Sequence, residues 1–227
     1  MIREAPSERR VEVMFDSVVD RYDLVNRLLS LGLDSRWRVR TAEALAARGE
    51  TVLDFGCGTG RLGELLAGPA RVVGLDLSQR MLASARGRLG SRMAPVRGSV
   101  FALPFGDGVF SGAMSAFVLR NLDDLPRAFS ELARVVVEGG GLAILDITGP
   151  RRRLPRKVFN AYFGAAAWLL GRLVGEAEAY RYLTRSLAQL PTREVLCSII
   201  EGCGFGAVEA HPLDGDMVTL WTATRTT

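Results

Sequence analysis

The chain has 227 residues, 48% of them hydrophobic and 24% charged, which fits one globular domain with one core and excludes wholesale disorder. A net charge of +4 is too weak to argue for a nucleic-acid partner, although Lys157 is the only lysine among 29 basic residues. Three cysteines (Cys57, Cys197, Cys203) and the single histidine His211 provide neither a disulfide framework nor a His/Cys metal centre.

The first 49 residues read as a helical cap. Val11, Met14, Phe15 and Val18 share one helical face, with Ser7 available as a cap. Arg21 to Asp23 interrupt that face, and Leu24, Leu28 and Leu29 resume it. Gly32 closes the element, Asp34 can cap the next helix, and Gly49 ends it. The charged opening MIREAPSERR is unlike a signal peptide, so a cytoplasmic protein is expected.

From residue 50 to 149 strands alternate with helices. TVLDF (51–55) and RVVGLD (71–76) read as buried strands, 94–98 as a weaker one, and 110–118 and LAILDI (142–147) as two more. Helices are expected from Ser78 to about Leu89 and from Leu125 to Val136. This alternation predicts an α/β fold with a doubly wound, mostly parallel sheet. Residues 150–190 show no strand; they hold the basic run Arg151 to Lys157 and the aromatic stretch Phe159, Tyr162, Phe163 and Trp168. A helix from Thr192 to Glu201 and two strands, 205–211 and 216–223, finish the chain, the last pair joined as a hairpin that gives an antiparallel edge. Sheet, cap and insertion form a single domain of about seven strands.

Ligands of such sheets bind at the carboxyl ends of the strands. The first strand ends in Asp54-Phe55-Gly56-Cys57-Gly58-Thr59-Gly60, where glycines permit a tight turn beside a helix N-terminus. Gly58-Thr59-Gly60-Arg61-Leu62-Gly63 also fits the dinucleotide fingerprint. Asp76, at the end of the second strand, suits ribose hydroxyls under either reading. Asp54, an acidic group next to the loop, favours a ligand with an ammonium and a sulfonium, such as S-adenosylmethionine, over a pyrophosphate.

Met14-Phe15-Asp16 and the run Arg21-Tyr22-Asp23-Leu24-Val25-Asn26-Arg27-Leu28-Leu29-Ser30 resemble the ubiquinone/menaquinone biosynthesis C-methyltransferases. So do Leu103-Pro104-Phe105, Phe117-Val118-Leu119-Arg120-Asn121 and Glu178-Ala179-Tyr180-Arg181-Tyr182-Leu183. The resemblance implies a class I methyltransferase fold that uses S-adenosylmethionine to methylate a ring carbon of a polyprenyl quinol. It implies cofactor contacts at Thr59, Asp76, Ser99, Val100 and Ser115, beside Asp54, Gly56 and Gly58 of the loop. Where the family favours other residues, this chain has Arg61, Ser99, Val118, Glu138 and Trp221.

The reaction needs a ring hydroxyl that gives up or shares its proton and a pocket that excludes water. Arg120 is expected to stabilise the developing phenolate, with Asn121 and Tyr22 offering hydrogen bonds; the alternative for Arg120 is a buried salt bridge to Asp16 or Asp23. Another lipid or phenol acceptor is the runner-up substrate. A non-catalytic binding protein and a nicotinamide-dependent oxidoreductase are the other classes weighed. Expected partners are the quinol, an anionic membrane surface touched by residues 151–170, and a second copy of the chain in a homodimer.

Overall fold

A computed structural model describes residues 8–45, 51–66, 71–150, 153–174 and 190–226. Five parallel strands come first: β1 (Thr51–Phe55), β2 (Arg71–Asp76), β3 (Met93–Arg97), β4 (Phe110–Ala116) and β5 (Val136–Ile147). The closing pair, β6 (Phe205–Leu213) and β7 (Val218–Arg225), is antiparallel, and the seven strands lie in the order β3-β2-β1-β4-β5-β7-β6. The expected antiparallel edge is therefore a hairpin in which β7 runs against β5 and β6 forms the rim. Strand order reverses between β1 and β4, where a doubly wound sheet opens a crevice at its carboxyl edge.

Side chains alternate across each strand, which divides the core in two. Leu53 and Phe55 of β1 join the cluster under α5 (Leu125–Val135) and α7 (Arg193–Gly202). Val52 points the other way, into the cluster with Trp37 of α2 (Asp34–Glu43), Leu62 of α3 (Arg61–Glu64) and Leu82 of α4 (Gln79–Leu89). Burying one such side chain contributes about 1.5–3 kcal/mol. The helices start where caps allow: Ser78 accepts from the Met81 N–H at 3.0 Å, and Asp124 accepts from the Arg127 N–H at 3.0 Å ahead of Pro126.

The cap differs from expectation. α1 (Glu8–Leu29) runs unbroken through Arg21 to Asp23, because none of those residues breaks a helix and their polar side faces the polar glycine loop. Asp23 accepts from the Thr59 hydroxyl at 2.6 Å and from Arg88 Nη2 at 2.6 Å. Gly32 does close the turn, at φ +80°. Asp34 lies inside the first turn of α2 rather than capping it, its buried carboxylate held by Arg61 Nη1 at 2.8 Å. Arg61 thus ties α3 to α2, which gives this unusual loop residue a structural role. α6 (Arg153–Val174) packs against the end of α1, with Phe163 buried against Val25 and Leu29. Ser7, Gly49, Arg151, Arg152 and the stretch Glu178 to Leu183 lie outside the described residues.

Candidate active site

The glycine loop leaves β1 with Gly56, Gly58 and Gly60 all at positive φ. At Gly56 a Cβ would come within 2.4 Å of Val118 Cγ2, so the loop is pressed against the segment after β4. At Gly58 the nearest atom to such a Cβ would be Tyr22 Cε1, 3.9 Å away, so bare backbone faces open space there. Asp76 braces the loop from the next strand: Oδ2 accepts from the Gly58 N–H at 2.8 Å and Oδ1 from the Ser78 N–H at 2.9 Å. Burial pushes the Asp76 carboxyl up, and the N–H donors of Ser78, Gly58 and Leu77 partly offset this.

These groups border a cavity roofed by α1. Gly56, Gly58, Asp76, Val100, Tyr22 and Asn121 all line it, with Phe15, Phe101 and Phe117 among its apolar walls. The roof is clasped along its length. Glu8 accepts from the Ser99 hydroxyl, Glu12 pairs with Arg97, Asp16 accepts from Ser78, and Asp20 pairs with Arg80 at 3.0 Å.

Four residues expected at the cofactor do not border this cavity. Asp54 follows the strand's alternation and lies on the face away from Leu53 and Phe55. It is buried beneath α3, near Gly63, and its Oδ2 has no hydrogen-bond partner among the described residues. Burial drives its pKa up to about 7, against the pull of Arg38 and with the help of Asp76. Ser115 is fully buried and donates to the Phe55 carbonyl at 2.6 Å. Thr59 is turned to Asp23, and the Ser99 hydroxyl to Glu8.

A second cavity of about 650 Å³ lies beyond Phe117, between the end of α1, the start of α2 and α6. Its lining is mostly apolar (Leu29, Leu33, Trp37, Ile147, Phe159, Met217), and Arg120 and Asn26 bring polar atoms to it. Arg120 is not paired with Asp16 or Asp23, as the alternative reading expected. Its Nη1 lies 2.8 Å from Asp146 Oδ1, because the register pairing Ala116 with Leu145 brings the end of β5 beside the 3₁₀ turn Leu119–Asn121. Nε of Arg120 finds no partner among the described residues.

Phe117 borders both cavities. It sits at φ +68°, a strained conformation for a bulky side chain, and its ring is 4.9 Å from the Arg38 guanidinium and 5.9 Å from that of Arg120.

Residues 3–225 match the ubiE/COQ5 methyltransferase family. The chain belongs to that family. As a ubiE/COQ5 methyltransferase it is 40% identical over 200 residues to a demethylmenaquinone methyltransferase of Thermus thermophilus, covering 85% of this chain and 91% of that one. It is 31% identical over 239 residues to a ubiquinone/menaquinone biosynthesis C-methyltransferase of Geobacter sulfurreducens, covering 99% and 92%. Solved structures share the fold. A SAM-dependent methyltransferase from Thermotoga maritima superposes with a TM-score of 0.66 at 21% identity, over 94% of this chain and 99% of that one. A Haemonchus contortus phosphoethanolamine N-methyltransferase in complex with S-adenosyl-L-methionine gives 0.62 at 16% identity, over 94% and 60%.

Sequence reasoning missed Phe117 as the shared wall, Asn26 and Trp37 in the second cavity, and Asp146 as the partner of Arg120. Phe117 and Asn26 stand inside the motif runs that carried the resemblance. Asp146 gave no local signal.

Proposed function

We propose that this methyltransferase takes S-adenosylmethionine in the first cavity and a polyprenyl quinol in the second, and methylates a ring carbon of the quinol. The observation that carries the reading is that two cavities, one with a polar cradle and one mostly apolar, both border Phe117. A transfer between two bound molecules needs them to lie as neighbours, and the two cavities are adjacent across that residue.

The chain's own residues fit the methyl donor. Asp76 accepts the N–H groups of Gly58 and Ser78 on different oxygens and keeps lone-pair capacity for ribose hydroxyls. Gly58 leaves open the space that a side chain would fill, and Val100 and Phe101 offer apolar contact to a flat base. When bound, S-adenosylmethionine supplies an electrophilic methyl carbon that leaves its sulfur for the ring.

In the second cavity Arg120 stays cationic throughout. Asp146 holds its Nη1, which orients the guanidinium and leaves Nε for an oxygen of the acceptor. That donor stabilises negative charge on a ring hydroxyl as its proton is shared or lost, which makes the adjacent ring carbon nucleophilic. The apolar walls keep water from competing for the methyl group. Tyr22 and Asn121 line the first cavity next to Phe117, and in this reading they hydrogen-bond a water that takes the ring proton.

Leu31, which lines the second cavity, and Leu154 and Val158, on the first turns of α6 just before the lining residue Phe159, are at least 64% exposed, and Arg156 and Lys157 on the same turns are exposed too. An apolar rim with nearby cations suits the anionic membrane surface that holds a polyprenyl substrate. Among the described residues no helix is long and apolar enough to cross a membrane.

Simultaneous binding tests the reading. Trp37 borders the second cavity, so a prenylated quinone should quench its fluorescence while S-adenosylhomocysteine is bound, and Trp37→Phe should remove that part of the signal. Competition between the two ligands would overturn the two-cavity assignment.

A further inference from the structure

Asn26 sits on the face of α1 that turns toward α6, between Val25 and Leu29, both buried against Phe163. Asn26 is one of the residues that line the second cavity, and its Nδ2 is buried with no hydrogen-bond partner among the described residues. Among the described residues that line this cavity, the one other such donor is Nε of Arg120. Buried donors without partners are rare in folded proteins, because water given up must be replaced. Two of them on residues that line one mostly apolar cavity point to a ligand that brings oxygen atoms to both.

We infer that Asn26 binds a ring oxygen of the methyl acceptor, and that the second cavity therefore selects a ring bearing two oxygens, one for Asn26 and one for Arg120. The inference rests on the proposed function and deepens it. The two donors differ in kind, and that difference assigns roles. The guanidinium favours an ionised oxygen, whereas the neutral amide holds a hydroxyl without stabilising its anion. The oxygen at Arg120 thus activates the ring, and the oxygen at Asn26 fixes which ring carbon faces Phe117. A ring with a single oxygen leaves one buried donor unpaired, and a site built around such donors rejects that ligand.

The test compares a prenylated 1,4-naphthohydroquinone with the matching naphthol that lacks one ring oxygen, using wild type and Asn26→Leu. Wild type should prefer the hydroquinone. In Asn26→Leu, kcat/KM for the hydroquinone should fall roughly 10- to 100-fold, the loss expected for a buried donor and its partner. The preference over the naphthol should shrink by a similar factor, while S-adenosylhomocysteine affinity stays within about twofold. Intrinsic reactivity differences between the two rings are common to both enzymes and cancel in that ratio. Asn26→Ala, which adds no bulk, gives the same comparison if the leucine variant misfolds. An active wild type whose variants keep the full preference would overturn the role of Asn26 and leave the proposed function standing. A wild type that methylates neither acceptor would overturn both.

Discussion

Arg120 and Asp146 form a buried ion pair, Nη1 to Oδ1 at 2.8 Å, in which Asp146 also accepts from the Ile147 N–H at 2.7 Å. The carboxylate is fully buried and the guanidinium nearly so. The pair thus joins the carboxyl ends of β4 and β5 at the wall of the second cavity, so the role proposed for Arg120 in the chemistry is combined with one in the fold.

The two roles separate in a double variant. Arg120→Ala alone should destabilise by about 3–5 kcal/mol, because it strands a buried carboxylate. Arg120→Met with Asp146→Asn removes both charges and should recover much of that loss. Turnover should stay down roughly 10²–10³-fold in both, since the donor proposed to meet the acceptor is absent. Thermal unfolding and single-turnover rates on the same samples check this; recovery of turnover along with stability would reduce Arg120 to a structural residue.

Asp76→Ala should weaken S-adenosylhomocysteine at least about tenfold, from loss of charge-assisted bonds worth about 1.5–3 kcal/mol. The same change frees the Gly58 and Ser78 N–H groups, so a lower Tm is expected as well. Asp76→Asn keeps an acceptor oxygen for the loop and should lose affinity with a smaller loss of stability. Calorimetry beside thermal unfolding reads both; unchanged affinity in a folded Asp76→Ala would remove the residue from the cofactor site.

Asp54 predicts a pH dependence of stability. Its folded pKa, about 7, lies above the ordinary value of 3.8, so the folded state holds the proton more tightly than the unfolded chain. The stabilisation is complete below about 3.8 and is lost as pH rises towards 7. Wild type should therefore lose more Tm than Asp54→Asn between pH 5 and about 7.5. Parallel profiles would show that Asp54 is ionised across this range.

The strand periods and the glycine loop made the sheet and the Asp76 cradle readable from sequence, since period-2 burial and positive-φ turns are local properties. The alternation in TVLDF also held the placement of Asp54: with Leu53 and Phe55 facing one layer, Asp54 faces the other, beneath α3 and off the lining of the first cavity. Continuity of α1 through Arg21 to Asp23 was hidden because their polar partners, Thr59 and Arg88, are far along the chain. The pairing of Arg120 with Asp146 depends on the register between two parallel strands, which a crossover sets and no local pattern records. The second cavity is likewise assembled from α1, α2, α6 and the β5 and β7 edges, so its apolar lining resembled ordinary core.

Lipid-surface contact should follow the rim of the second cavity. Basic residues near an anionic surface contribute about 1 kcal/mol each, so co-sedimentation with anionic vesicles should exceed that with neutral ones and fall at high salt. Leu31→Asp and Leu154→Asp should reduce it while leaving S-adenosylhomocysteine binding intact. Phe163, buried against α1, takes no part in that surface. Equal binding to neutral and anionic vesicles would show that Arg156 and Lys157 are merely solvated.

The most direct test follows the methyl group. The protein is incubated with S-adenosylmethionine carrying a ¹³C methyl and with a prenylated demethylnaphthoquinol, and the lipid product is read by mass spectrometry and NMR. The account predicts one labelled methyl on a ring carbon, coupled to loss of one ring proton, with both ring oxygens unmethylated. A label found on oxygen, or a folded protein that binds S-adenosylhomocysteine yet labels no quinol, would contradict it.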